Sequence, residues 1–185
     1  MTADQLLRNI INDLRVELAE EFDRNFERKA FFSKKWNERK LNGKGSLLNV
    51  KGGGGLRGSQ RAKAQGNTIR FTSSLPYAAI HNEGGRIKIT PKMHRFFWAK
   101  YYEYSGAVKY KKNGTKGQNK RNVKLSKEAE FYKSLALKKV GDYIVIPQRQ
   151  YIGAAPEVDA CVKRVIDANL KDIESYLKKQ LQPKT

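Results

Sequence analysis

Two long amphipathic stretches, one near each end of the chain, set the frame within which everything else must fold. From about residue 3 to 29, Leu6, Leu7, Ile10, Ile11, Leu14, Leu18, Phe22 and Phe26 recur at helical spacing, and charged residues occupy the other positions. That pattern predicts one apolar stripe along a helix. Thr2, with Gln5 three residues on, forms a candidate capping box. Over 156–181, Val158, Val162, Val165, Ile166, Leu170, Ile173, Leu177 and Leu181 repeat the pattern. Pro156 suits a first helical turn. Glu157 and Asp159 near the start, with Lys178 and Lys179 near the end, match the helix macrodipole. The first stripe must lie either on the body of the domain or against another subunit.

Between these helices the period changes to two. Thr68–Thr72 and Arg86–Thr90 alternate apolar and polar residues and predict half-buried antiparallel strands. The intervening Tyr77 to Gly85 is expected to turn the chain at its Gly84-Gly85 pair. Pro91 should stop the second strand. Lys92–Tyr102 should form a short aromatic-rich helix with Met93, Phe96, Phe97 and Trp98. Ser126 is expected to cap a helix running to about Lys139, with Gly141 as its stop. Tyr143–Ile146 predicts a strand ended by Pro147. The order of elements is α+β: a small antiparallel sheet flanked by long N-terminal and C-terminal helices, with basic loop insertions. A length of 185 residues suits a single domain over 1–185.

Charge narrows the partners. Lys and Arg number 38 against 18 Asp and Glu, a net charge of +20, which favours polyanions and acidic protein surfaces. The charge is clustered. A glycine-rich stretch, 32–66, carries Lys34, Lys35, Arg39, Lys40, Arg57 and Arg61. Its Gly52–Gly55 run lacks the lysine and hydroxyl residue of a phosphate-cradling loop and predicts flexibility. A second stretch, 105–126, carries Lys109, Lys111, Lys112, Lys120 and Arg121 without an acid and reads as a mobile arm. These eleven cations are the candidate contacts to DNA or to an acidic partner.

The lone Cys161 excludes an intramolecular disulfide. No N-terminal stretch has the apolar core of a signal peptide. No apolar run approaches the ~18 residues of a membrane span. A soluble protein made in the cytoplasm, with no membrane partner, is expected.

Little in the chain resembles catalytic machinery. His81 and Glu83, two apart on an expected strand, would share one face, but a metal or hydrolytic centre needs further ligands or a nucleophile and base. The one other histidine, His94, has no motif around it. His81 is read as structural, and neither a metal nor a cofactor is expected. Cys161 lies among the apolar positions of the last helix and reads as a buried hydrophobe. The rings of Phe96, Phe97, Trp98, Tyr101, Tyr102 and Tyr104 lie beside the second basic stretch. They read as core, as a subunit interface, or as a stacking platform for single-stranded nucleic acid.

Three stretches, taken in order, resemble the phage virion morphogenesis or tail-completion family. They are Gly55-Leu56-Arg57-Gly58-Ser59 after Leu47-Leu48; Tyr77 to Gly85 with His81, Gly84 and Gly85; and Ile146 to Gly153 with Pro147, Arg149, Tyr151 and Gly153. Trp36 matches a tryptophan that such proteins carry after the first helix. Gln150 stands where a proline is common, and the span before Ile146 is enlarged and basic. The resemblance implies a non-enzymatic virion protein that completes the tail or joins it to the head. It further implies a ring, hexameric in the family, with connector, neck and tail proteins as neighbours and DNA in its channel. A standalone basic nucleic-acid-binding protein is the alternative.

Overall fold

Both terminal helices form where the apolar stripes place them. In the computed structural model, which describes residues 3–38, 48 and 55–181, α1 spans Ala3–Arg28 and the last helix Pro156–Leu181. Between them come β1 (Ala30–Phe31), β2 (Lys34–Lys35), α2 (Leu56–Ser59), β3 (Gln60–Gln65), β4 (Thr68–Ser73), α3 (Ala78–Glu83), β5 (Gly85–Lys88), α4 (Pro91–Gly106), α5 (Lys120–Ala136) and β6 (Tyr143–Ile146), so the last helix is α6. The fold is α+β. Its strands form three separate antiparallel pairs, β1–β2, β3–β4 and β5–β6, rather than one small sheet.

The chain divides into two compact units. One comprises Met1–Asn37, Gly45–Glu83 and Gln148–Thr185; the other comprises Glu38–Lys44 and Gly84–Pro147. In the first unit α1 packs on α6. The stripes of the two helices meet where Leu18, Phe22 and Phe31 bury Cys161, with Ile69 and Phe71 of β4 against them. Burying a side chain of this size contributes about 1.5–3 kcal/mol. At the edge of this contact Arg164 pairs with Glu17 at 2.6 Å. The β3–β4 hairpin reverses at Gly66, whose φ of 57° suits the two-residue turn.

In the second unit α4 and α5 lie side by side, and Ile89, Phe97 and Ala136 are buried with Met93, Trp98, Tyr132, Leu135 and Ile144 around them. Thr90 ends the alternating run by capping α4, its hydroxyl accepting from Met93 N at 3.2 Å. Pro91 is the first residue of that helix, which continues to Gly106 because the aromatic stripe does not stop at Tyr102.

Several expectations are corrected. Residues 78–83 form α3, not a strand reversal, so His81 and Glu83 do not share a strand face. The Gly84-Gly85 pair, with φ of 74° and 155°, instead ends a helix and starts β5. The stretch 32–66 contains β2, α2 and β3: an alternating Gln60–Gln65 was concealed by its charge and small residues. Thr2, Arg39, Lys40, Leu47 and Gly52–Gly54 lie outside the described residues.

The second basic stretch is not a free arm. Asn119, not Ser126, caps α5, its side chain accepting from Asn122 N at 2.8 Å. Residues 107–119 then fold back on that helix. Tyr110 bridges Lys116, and the buried Asn122 donates to Lys109 O (2.7 Å) and Gly117 O (3.0 Å) while accepting from Lys109 N (3.2 Å).

Leaving these buried backbone groups unpaired costs about 1–3 kcal/mol. Asn122→Ala should therefore speed tryptic cleavage at Lys109, Lys111, Lys112 and Lys116 by roughly tenfold or more, a factor that corresponds to about 1.4 kcal/mol. Helical circular dichroism should hardly change. Unaltered cleavage would show that Asn122 does not hold the loop.

Candidate functional site

The three motif stretches converge on Tyr151, which is 2% exposed. Helix α1 brings Asn25 into the same apolar row as Phe22 and Phe26, so its amide is buried with no access to water. It spends both ends on backbone: Nδ2 donates to Tyr151 O at 3.1 Å, and Oδ1 accepts from Phe32 N at 3.0 Å. Phe32 holds φ at 50°, a conformation uncommon for a bulky residue, so this bond fixes a reversal that sterics disfavour. From α3, Asn82 Oδ1 accepts from Tyr151 N (3.0 Å) and Ile152 N (3.2 Å). The Tyr151 hydroxyl donates to Ala78 O at 3.2 Å, and its ring tilts against Phe26 at 5.0 Å.

The neighbours close the same knot. Arg149 N donates to His81 O at 2.7 Å. Trp36 Nε1 donates to Gln150 O at 2.6 Å, while its ring packs edge-on to Phe26. Gly153 has φ of 144°, a conformation that residues with a Cβ rarely adopt, so a substitution there strains the backbone and displaces the Gln150 amide, which would lie 2.5 Å from the new Cβ. In the Gly55–Ser59 segment Leu56 is fully buried, Ser59 Oγ donates to Leu56 O at 2.8 Å, and Arg57 N donates to Leu48 O at 2.8 Å.

Arg57 differs from the other candidate contacts. Its guanidinium binds Asp23 through Nε (2.6 Å) and Nη2, and Glu27 through Nη2 (2.7 Å). These two carboxylates, Asp23 foremost, raise its pKa further above the ordinary value. Its charge is therefore engaged by α1 inside its own unit.

The remaining cations split between the units. Lys34 and Lys35 are exposed on β2. Arg61 on β3 is exposed and donates to Gly58 O and Gln60 O. Lys109, Lys111, Lys112, Lys120 and Arg121 are exposed in the second unit, the last two in the first turn of α5. Cations there oppose the helix macrodipole, at a cost of about 0.3–1 kcal/mol each. Among the described residues none of these five pairs with a carboxylate.

The titratable groups fit structure better than chemistry. His81 Nδ1 is buried with no hydrogen-bond partner among the described residues, and the Tyr77 ring meets the imidazole edge-on. Burial, and then the charge of Arg149, lower the His81 pKa below 6.5. Burial raises the Cys161 thiol, which suppresses its thiolate. No group of three or more His, Cys, Asp or Glu side chains able to hold a metal occurs among the described residues, and no helix there is long and apolar enough to cross a membrane.

The sequence reading missed Asn25, Asn82 and Asn122. An asparagine inside an apolar helical row, as Asn25 is, was the available signal.

Against known proteins, the model of the phage virion morphogenesis family matches residues 3–171. Comparison with the curated proteins finds no match, and comparison with the solved structures finds none either.

Two outcomes follow. Asn25→Ala strands a buried carbonyl and the Phe32 amide, so urea denaturation should show a loss of about 2–4 kcal/mol, whereas Tyr151→Phe, which loses one hydroxyl bond, should cost about 0.5–1.5 kcal/mol. For His81, the unfolded chain binds the proton more readily than the folded one. Stability should therefore be full above pH 6.5 and decline as pH falls through the lowered folded value. His81→Gln should make that decline shallower in urea midpoints measured between pH 7.5 and 5, and an unchanged slope would contradict it.

Proposed function

Because the chain belongs to the phage virion morphogenesis family, and so has a structural role in virion assembly, we propose that it completes the tail or joins it to the head as a neck component. The observation that carries this reading is the span of the family match, from α1 into α6 and across all three stretches that meet at Tyr151. The conspicuous polar residues of those stretches hold backbone in place, which is the work of a rigid building block. The reading includes assembly into a ring, hexameric as the resemblance implies, with connector, neck and tail proteins as neighbours in the virion. It takes 1–185 as one tail-completion-like domain with a basic glycine-rich stretch over 32–66 and a basic insertion over 105–126.

The exposed cations Lys34, Lys35, Arg61, Lys109, Lys111, Lys112, Lys120 and Arg121 then face acidic neighbours or the DNA in the channel. Charge of one sign steers docking and raises association rates more than it adds affinity. A standalone nucleic-acid-binding role draws on the same cations and on Phe96 and Tyr102, which are 50% and 63% exposed on α4.

A phage lacking this chain should accumulate filled heads and separate tails in electron micrographs of lysates, and supplying the chain in trans should restore joined particles. Intact infective particles without the chain would contradict the proposal. Stoichiometric, steeply salt-dependent duplex binding by a monomer would favour the standalone reading.

A further inference from the structure

The β5–β6 pair presents an unusual outer face. Residues directly opposite in an antiparallel ladder project to the same side, and the register pairs Arg86 with Val145 and Lys88 with Tyr143. The opposite side, Ile87 with Ile144, turns toward the Ile89–Phe97 core. The outer side is open: Val145 is 68% and Tyr143 52% exposed, and Arg86 and Lys88 are exposed beside them. At one end the patch continues into the turn before β6. A Cβ on Gly141 would lie 3.9 Å from Lys88 Cε, and the adjoining Val140 is 50% exposed.

Half-exposed aliphatic residues on a two-stranded ribbon cost stability in isolation and mark interaction surfaces when they cluster. The cations that border them have no carboxylate partner among the described residues. We propose that this face docks an acidic-rimmed apolar surface on another virion protein, an assignment that rests on the virion role inferred above.

Two observations select that occupant. Nucleic acid has no use for Val140 and Val145, since phosphate attraction needs only the cations. A second copy of this chain is poorly suited. The chain is +20 overall, and α1, which holds seven of its eighteen acids, has already spent Glu17 on Arg164, Glu21 on Arg24, and Asp23 and Glu27 on Arg57. A protein partner with free carboxylates around an apolar centre satisfies both halves of the patch.

The test places a photo-reactive benzoylphenylalanine at Val145, supplies that chain in trans to phage lacking its own copy, and irradiates purified particles. The expected product joins position 145 to a different virion protein, at a segment carrying Asp or Glu beside apolar residues. Val145→Asp and Lys88→Glu should each lower particle yield at least a hundredfold. Both should leave the solution mass and circular dichroism of the purified chain unchanged, and Lys163→Glu, exposed on α6 and outside both the patch and the candidate contacts, should keep near-normal yield. Linkage to a second copy, to DNA, or to no partner in particles that contain the chain would overturn the assignment while leaving the virion role standing. Absence of the chain from particles would overturn the virion role itself.

Discussion

The backbone at Tyr151 is gripped from both sides by asparagine side chains, Asn25 buried and Asn82 partly buried, and the first unit depends on that grip. Asn82 takes its amide hydrogen and Asn25 supplies a hydrogen to its carbonyl. Each asparagine belongs to a different helix, so the segment entering α6 is tied to α1 and α3 together. Such a knot is demanding: a buried amide with one bond missing costs more than the bond contributes when made. That asymmetry specifies one arrangement. Trp36, Arg149 and the glycine at 153 serve the same segment, which explains why motif residues far apart in sequence occur together.

With the frame fixed in this way, charge can be placed for use elsewhere. Arg57 is consumed by Asp23 and Glu27, and five acids of α1 are bound to arginines. The segment Gly84–Pro147, by contrast, carries 16 Lys and Arg against 4 Asp and Glu. Its basic loop is ordered by Asn122, and cations gather at the start of α5 where the macrodipole disfavours them. Stability is given up locally for a concentrated positive surface, a pattern suited to contact with acidic neighbours.

Much of this was legible in the sequence, and the reasons differ by element. The terminal helices were read almost to the residue because their stripes are long and their ends carry helix signals. β4 and β5 were visible through alternation, and β6 as a short apolar run before Pro147. β3 was not, since Gln60-Arg61-Ala62-Lys63-Ala64-Gln65 has too little apolar contrast to show a period, and its partner strand supplies the pairing. Residues 78–83 were read as a turn because six residues are too few for helical periodicity to outweigh a following Gly-Gly pair. The three motif stretches were visible in the sequence as a group. Their mutual contacts were not, because Asn25 and Asn82 act on backbone atoms more than sixty residues away, a relation that spacing does not encode.

The central claim is that this chain is a built-in part of the phage particle. Quantitative mass spectrometry of purified virions tests it most directly. The account predicts peptides of this chain in intact particles at a fixed low copy number consistent with one ring, retained after nuclease treatment and high-salt washing. Recovery of the chain only in the soluble lysate, or its loss from particles on nuclease treatment, would contradict it.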